Sequence, residues 1–156
     1  MASKKTDISS YIPDGKHSGS INYGELEVGT VVSQQSYILD KKSVQIYISA
    51  VKDTSVQPET SASNIAPPMS IAALSLRGVV NDLKIPGGTL HIGQELSFLK
   101  PVRVGMHLEC VAILSSNSVR GEYRFMVVDL NVKDDLNDHV MKGKSTIMLP
   151  VDISLQ

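Results

Sequence analysis

The sequence predicts an α+β domain in which an antiparallel sheet of about five strands wraps around one central helix. Three observations predict it. Met69, Ile71, Ala72, Ala73, Leu74, Leu76, Val79, Val80 and Leu83 cover most of the circumference of one helix, and a helix apolar nearly all round is a buried one. Pro86-Gly87-Gly88 then supplies turn chemistry. Four stretches of strand-like alternation follow.

Taken in order, residues 1 to about 20 are rich in Ser, Lys, Gly and Asp and read as a polar tail, leaving 21–156 as a single domain. Gly29 to Leu39 is β-rich, with a strand near 29–38. Asp40 can cap a helix that ends near Val51. Its Val44, Tyr47, Ile48 and Val51 form one apolar stripe at i, i+3, i+4 and i+7. Lys52 to Ala66 is a polar connection of a length that is often functional. Pro67-Pro68 opens the central helix, since proline is tolerated in a first turn, and the helix is placed over Pro68 to Leu83. Gly78 and Ala72-Ala73 leave room for close approach of a sheet or another chain, although glycine costs about 1 kcal/mol inside a helix.

The later strands are expected at about 89–99, 107–116, 122–133 and 139–149. In the first, Leu90, Ile92, Leu96 and Phe98 share one face, with Gln94 its polar member. Thr89, His91, Glu95 and Ser97 share the other. In the third, Arg124, Met126, Val128, Leu130 and Val132 share a face. Asp134 to Asp138 is a polar turn, and Gly143 marks an expected bulge.

The 156 residues, 42% hydrophobic and 20% charged, suit one soluble globular domain. A net charge of −1 without a basic stripe gives no electrostatic basis for binding nucleic acid. No run approaches the ~18 apolar residues of a membrane helix, and MASKKTDISS is no secretory signal. Cys110 is the only cysteine, so no disulfide forms within the chain, which suits a reducing cytoplasm. It reads as a small buried hydrophobe; a nucleophile would need a base that the sequence does not identify. None of His17, His91, His107 and His139 has metal-ligand spacing, and no phosphate loop or dinucleotide fingerprint is present. No metal and no cofactor is expected.

Three stretches are more specific: ILDKKSVQIYISAVKD (38–53), IAPPMSIAALSL (65–76) and, most specific, LHIGQELSFLKPVRVG (90–105). With the element order, they resemble the MaoC-like hot-dog family of (R)-specific enoyl-thioester hydratases and 3-hydroxyacyl-thioester dehydratases. The resemblance covers roughly Tyr23 to Pro150 and is closest to the N-terminal, dehydratase-like half of double-hot-dog members. It implies a hot-dog fold and an acyl-CoA or acyl-carrier-protein thioester as ligand. It also implies a homodimer, or a heterodimer with a related hot-dog subunit; the composition adds the expectation of a cytoplasmic protein with no nucleic-acid or membrane partner.

The family's catalytic signature is an Asp followed five residues later by a His, in a Gly-Asp-x-Asn-Pro-x-His setting. Hydration needs such a pair, one group to position and deprotonate water and one to handle the proton at the α-carbon. Asp53 takes the Asp position, but Lys52, Ser55, Val56 and Pro58 replace the Gly, Asn, Pro and His. The dyad is broken at its base. Asp53 is either an altered acid–base group or a plain carboxylate beyond a helix. His91 matches the histidine of the Leu-His-x-x-Gln-Glu pattern. It is either a structural histidine or a proton-handling group with Glu95 on its face.

Ala66, Pro67, Pro68 and Met69 at the helix start, and Gly87, Gly88 and Thr89 in the turn, are implied to line a pantetheine channel. Glycine permits close approach, and a helix start can aim N–H groups at a thioester carbonyl. The same residues fit a plain helix start and a plain turn. Three functions stay open: a dehydratase or hydratase, a non-catalytic subunit shaping the acyl tunnel of a catalytic partner, and a repurposed thioesterase or cyclase.

Overall fold

The computed structural model describes residues 21–54 and 64–151. The elements run β1 (Val31–Ile38), α1 (Lys41–Val51), α2 (Pro68–Asp82), β2 (Leu90–Phe98), β3 (His107–Arg120), β4 (Tyr123–Asp134) and β5 (His139–Pro150). The strands form one five-stranded antiparallel sheet in the order β1-β3-β4-β5-β2, the hot-dog layout expected. β3 reaches Arg120, beyond the expected end at 116. The expected tail, 1–20, lies outside the described residues.

Local chemistry explains the element boundaries. Asp40 caps α1 as expected, its carboxylate accepting the Ser43 N–H at 2.7 Å. Lys52, left-handed at φ 54°, ends it, its N–H turned back to the carbonyls of Ile48 and Ser49. Pro68 opens α2, where the Ser70 hydroxyl donates to the Pro67 carbonyl at 2.6 Å.

The helix-side face of the sheet is the core. Leu108, Cys110, Ala112 and Leu114 of β3 alternate inward, as do Met126, Val128, Leu130 and Val132 of β4; all are almost fully buried. Met141, Ile147 and Leu149 extend the layer onto β5. α2 is tied to β1 by polar contacts. Ser33 donates to Asp82 at 2.5 Å, Gln35 donates to the Ser75 carbonyl at 2.7 Å, and the Tyr37 hydroxyl lies 3.1 Å from that of Ser75.

Two expectations are corrected. α2 is not buried all round. Ser70, Ile71, Ala72, Ser75, Gly78 and Val79 face inward, whereas Met69 and Val80 are about half exposed. A single sheet covers one side of a helix, and nothing within the described residues covers the other. Nor is Gly143 a bulge: it pairs in unbroken register with Leu96 and Leu130. Its missing side chain serves close packing, since a Cβ there would meet the Leu96 side chain at 3.0 Å and the Glu95 carbonyl at 3.3 Å. The bulge next to it lies in β2, at Ile92, where His91 faces Ile147 and Gly93 faces Thr146.

Candidate functional site

The β2 bulge decides which face the candidate histidine occupies. Directly opposed residues in antiparallel strands share a face. His91, Gln94, Leu96 and Phe98 oppose Ile147, Ser145, Gly143 and Met141, so all four lie on the helix side. Glu95 and Ser97 oppose Lys144 and Lys142 on the outer face, where they line a shallow cleft of about 250 Å³ with Asp129 and Asn131. The extra residue breaks the alternation expected from the sequence. His91 and Glu95 therefore stand on opposite faces, and Glu95 is no partner for it.

His91 Nε2 lies 3.1 Å from the hydroxyl of Ser145, which is almost fully buried. Beside them, the Gln94 amide Nε2 donates to the Glu95 carbonyl at 3.3 Å. The other amide atom, Oε1, is buried with no hydrogen-bond partner among the described residues. Thr89 Oγ1, in the turn before β2, is likewise buried without a partner. A polar row thus interrupts an otherwise apolar layer. Sequence reading singled out His91 and treated Gln94 as an oddity. Ser145 was missed, because a serine in a strand 54 residues away carries no signal of its own.

Ala66 to Met69 form the start of α2, anchored to the corner between β2 and β3. The Ala66 N–H donates to the Val102 carbonyl and the Val104 N–H to the Asn64 carbonyl, both at 2.8 Å. The Gly105 N–H donates to Leu39 at 2.7 Å, joining the end of β1 to the same corner. Gly87, Gly88 and Thr89 lie beyond the other end of α2, with the Thr89 N–H on the Pro86 carbonyl at 3.3 Å. The two groups are thus separated within one chain by the length of α2, roughly 22 Å for 15 residues. His91 belongs with the second group. Asp53 follows the α1 cap, its N–H on the Ile48 carbonyl at 3.0 Å. Pro58 lies outside the described residues.

Other reactive side chains are accounted for by packing. Cys110 is buried, which pushes its thiol up from the usual range; hydrogen bonds with Ser75 and Gln35 work the other way. Burial likewise pushes the Tyr37 phenol far above its ordinary value. On the outer face, His107 bridges two groups: Nδ1 lies 2.7 Å from Asp135 and Nε2 is hydrogen-bonded to Ser36. Asp135 is 68% exposed, so this chain is a solvent-facing strut between strand ends. Among the described residues no group of three or more His, Cys, Asp or Glu could hold a metal ion, and no helix is long and apolar enough to cross a membrane.

Residues 27–143 match the model of the family described as "FAS1-like, dehydratase domain region". No curated protein matches the sequence. Among solved structures, the chain is similar to the (R)-hydratase PhaJ1 of Pseudomonas aeruginosa (23% identity, 88% of this chain and 92% of that one, TM-score 0.69). It is similar to a MaoC-like dehydratase of Rhodospirillum rubrum (16% identity, 83% and 97%, TM-score 0.67). It also resembles the HadBC (3R-hydroxyacyl-ACP dehydratase) complex of Mycobacterium tuberculosis (18% identity, 80% and 98%, TM-score 0.66).

Proposed function

Because the chain belongs to the FAS1-like dehydratase family, with a MaoC-like hot-dog fold, we propose that it acts on an acyl thioester carried by CoA or acyl-carrier protein. The reaction is dehydration of a 3-hydroxyacyl group or its reverse. The observation that carries the reading is His91, turned by the Ile92 bulge to the helix side and held by buried Ser145. An imidazole can hold or accept the proton at the carbon next to the thioester. Asp53 supplies the second group. Gly87, Gly88 and Thr89 border the carrier arm. The single buried Cys110, with no disulfide partner, accords with a cytoplasmic setting.

A second reading is favoured by two observations. The family's histidine position is Pro58, and among the described residues nothing covers one side of α2. In that reading the chain is a hot-dog subunit that completes the acyl tunnel of a partner. β2 is an edge strand with Leu90 and Ile92 about half exposed, and pairing there with a second copy or a related subunit would close the edge.

One experiment separates the two: hydration of crotonyl-CoA by the purified chain, alone and with whatever co-purifies, identified by mass. The catalytic reading expects turnover by the chain alone that falls at least ~10²-fold in both Asp53→Asn and His91→Ala. Turnover only with a partner, unchanged in both variants, supports the subunit reading. Brisk turnover by the chain alone, unchanged in both variants, refutes the roles given to Asp53 and His91.

A further inference from the structure

We propose that Ser36 is an activated nucleophile that accepts the acyl group of a small activated ester, with His107 as its general base and Asp135 as the group that orients the base. The proposal stands apart from the thioester reading above. It rests on the order of three side chains on the outer face of the sheet. Asp135 Oδ1 lies 2.7 Å from His107 Nδ1, and Nε2 of the same ring is hydrogen-bonded to Ser36 Oγ. An ionised carboxylate only accepts, so Nδ1 carries the hydrogen of the neutral ring. Nε2 then presents its lone pair, and the Ser36 hydroxyl donates to it. A carboxylate on Nδ1 and a serine on Nε2 is the arrangement that lets an imidazole take a hydroxyl proton. The same chain ties β1 to the β4–β5 turn through the first residue of β3, which holds the ring in place.

Access and charge stabilisation come from the place of Ser36 in the sheet. β1 is an edge strand, and Ser36 is exposed. The Leu39 N–H donates to the carbonyl of Met106, just before β3, at 2.9 Å. Backbone groups alternate in direction along a strand, so the Tyr37 N–H also points to β3 and the Ser36 N–H points to the free edge. No strand pairs with that edge among the described residues. The N–H of a nucleophile, left free in this way, is a donor for the oxyanion that forms when Oγ adds to a carbonyl. Ile38, two residues on along the same face and directly opposite His107, is 43% exposed and offers the acyl group an apolar contact. The surface is open, which suits an acyl group as short as acetyl. In the reaction Oγ bonds to the carbonyl carbon as its proton passes to Nε2. The bond from that carbon to the leaving oxygen then breaks, and Nε2 returns the proton to that oxygen. The products are acyl-Ser36 and the free alcohol or phenol.

The test treats the full chain with p-nitrophenyl acetate, follows release of p-nitrophenol, and locates the acetyl group by peptide mass. Ser36→Ala, His107→Gln and Asp135→Asn are the variants, with thermal melting as the folding control. The wild type is expected to carry the acetyl group on Ser36, and Ser36→Ala to lose both that label and the burst of p-nitrophenol. His107→Gln should acetylate the serine about 10²-fold more slowly, the low end for a general base. Asp135→Asn should do so at least about tenfold more slowly, because the ring loses its fixed tautomer. Should His107→Gln fail to fold, the other two variants decide. Acetylation of Ser36 at an unchanged rate in His107→Gln and Asp135→Asn overturns the proposal and leaves Ser36 an exposed serine in a structural chain. Acetyl groups found only on lysines, or no acetylation at all, overturn it too. None of these outcomes bears on the roles given to Asp53 and His91.

Discussion

Gln35 lies directly across Gly78: a Cβ at position 78 would stand 2.3 Å from the Gln35 amide. The close approach for which a small helix residue leaves room is therefore made by a polar side chain of β1, which crosses α2 to donate to the Ser75 carbonyl at 2.7 Å. Gly78→Ala gains about 1 kcal/mol of helix propensity but displaces that amide, with overpacking and a lost hydrogen bond worth about 2–3 kcal/mol together. We expect a net loss of about 1–2 kcal/mol in urea unfolding. Adding Gln35→Ala should recover part of it; if the double variant is less stable than the sum of the singles, the clash is not the cause.

Asp40→Ala removes the carboxylate that accepts the Ser43 N–H at the start of α1. The expected cost is about 0.5–2 kcal/mol, with Asp40→Asn close to wild type. Denaturant midpoints for the two variants decide it, and equal loss in both would mean that charge rather than capping matters.

Ile71, 2% exposed on the inner face of α2, should cost about 2–4 kcal/mol when cut to alanine, whereas Val80→Ala on the uncovered side should cost well under 1 kcal/mol in a monomer. A large loss for Val80→Ala that grows with protein concentration would reveal a subunit contact there.

Lys100 makes the fold pH-sensitive at both ends of the scale. Its ammonium lies 2.7 Å from Asp134 and 2.9 Å from Asp138. The Lys100 bond, then the N–H groups of Asp138 and Leu136, hold the Asp134 carboxyl below its ordinary value. A depressed carboxyl contributes stability that is present above its unfolded pKa, about 3.9, and is lost as pH falls through the folded value. The two carboxylates raise the Lys100 pKa, so its contribution is present below about 10.4 and lost as pH rises through the folded value. Lys100→Met should move the acid midpoint, followed by circular dichroism, to higher pH. An unchanged acid limb would show that other carboxyls control it.

The elements were legible in the sequence because their signals are local. Asp40 before an i, i+3, i+4 stripe, Pro67-Pro68 before an apolar run, and the alternation of β4 each announce one element within a few residues. The candidate site was legible only in part. The face occupied by His91 depends on one extra residue in β2, and that residue is visible only against β5. Ser145 and the orphan oxygen of Gln94 are likewise products of pairing between strands far apart in the chain. The half-exposed side of α2 escaped for a related reason: composition shows that a surface is apolar, not which element covers it.

β2 precedes β3, β4 and β5 in the chain yet pairs with β5. During synthesis it therefore emerges early and waits for the last strand to be made. In the interval its Leu90, Ile92 and Phe98 hang from a strand with no neighbour on either side, the kind of segment that joins intermolecular sheets. The bulge at Ile92 interrupts that strand near its start and spoils its fit to a foreign edge. The kink that sets the face of the histidine also guards the nascent chain.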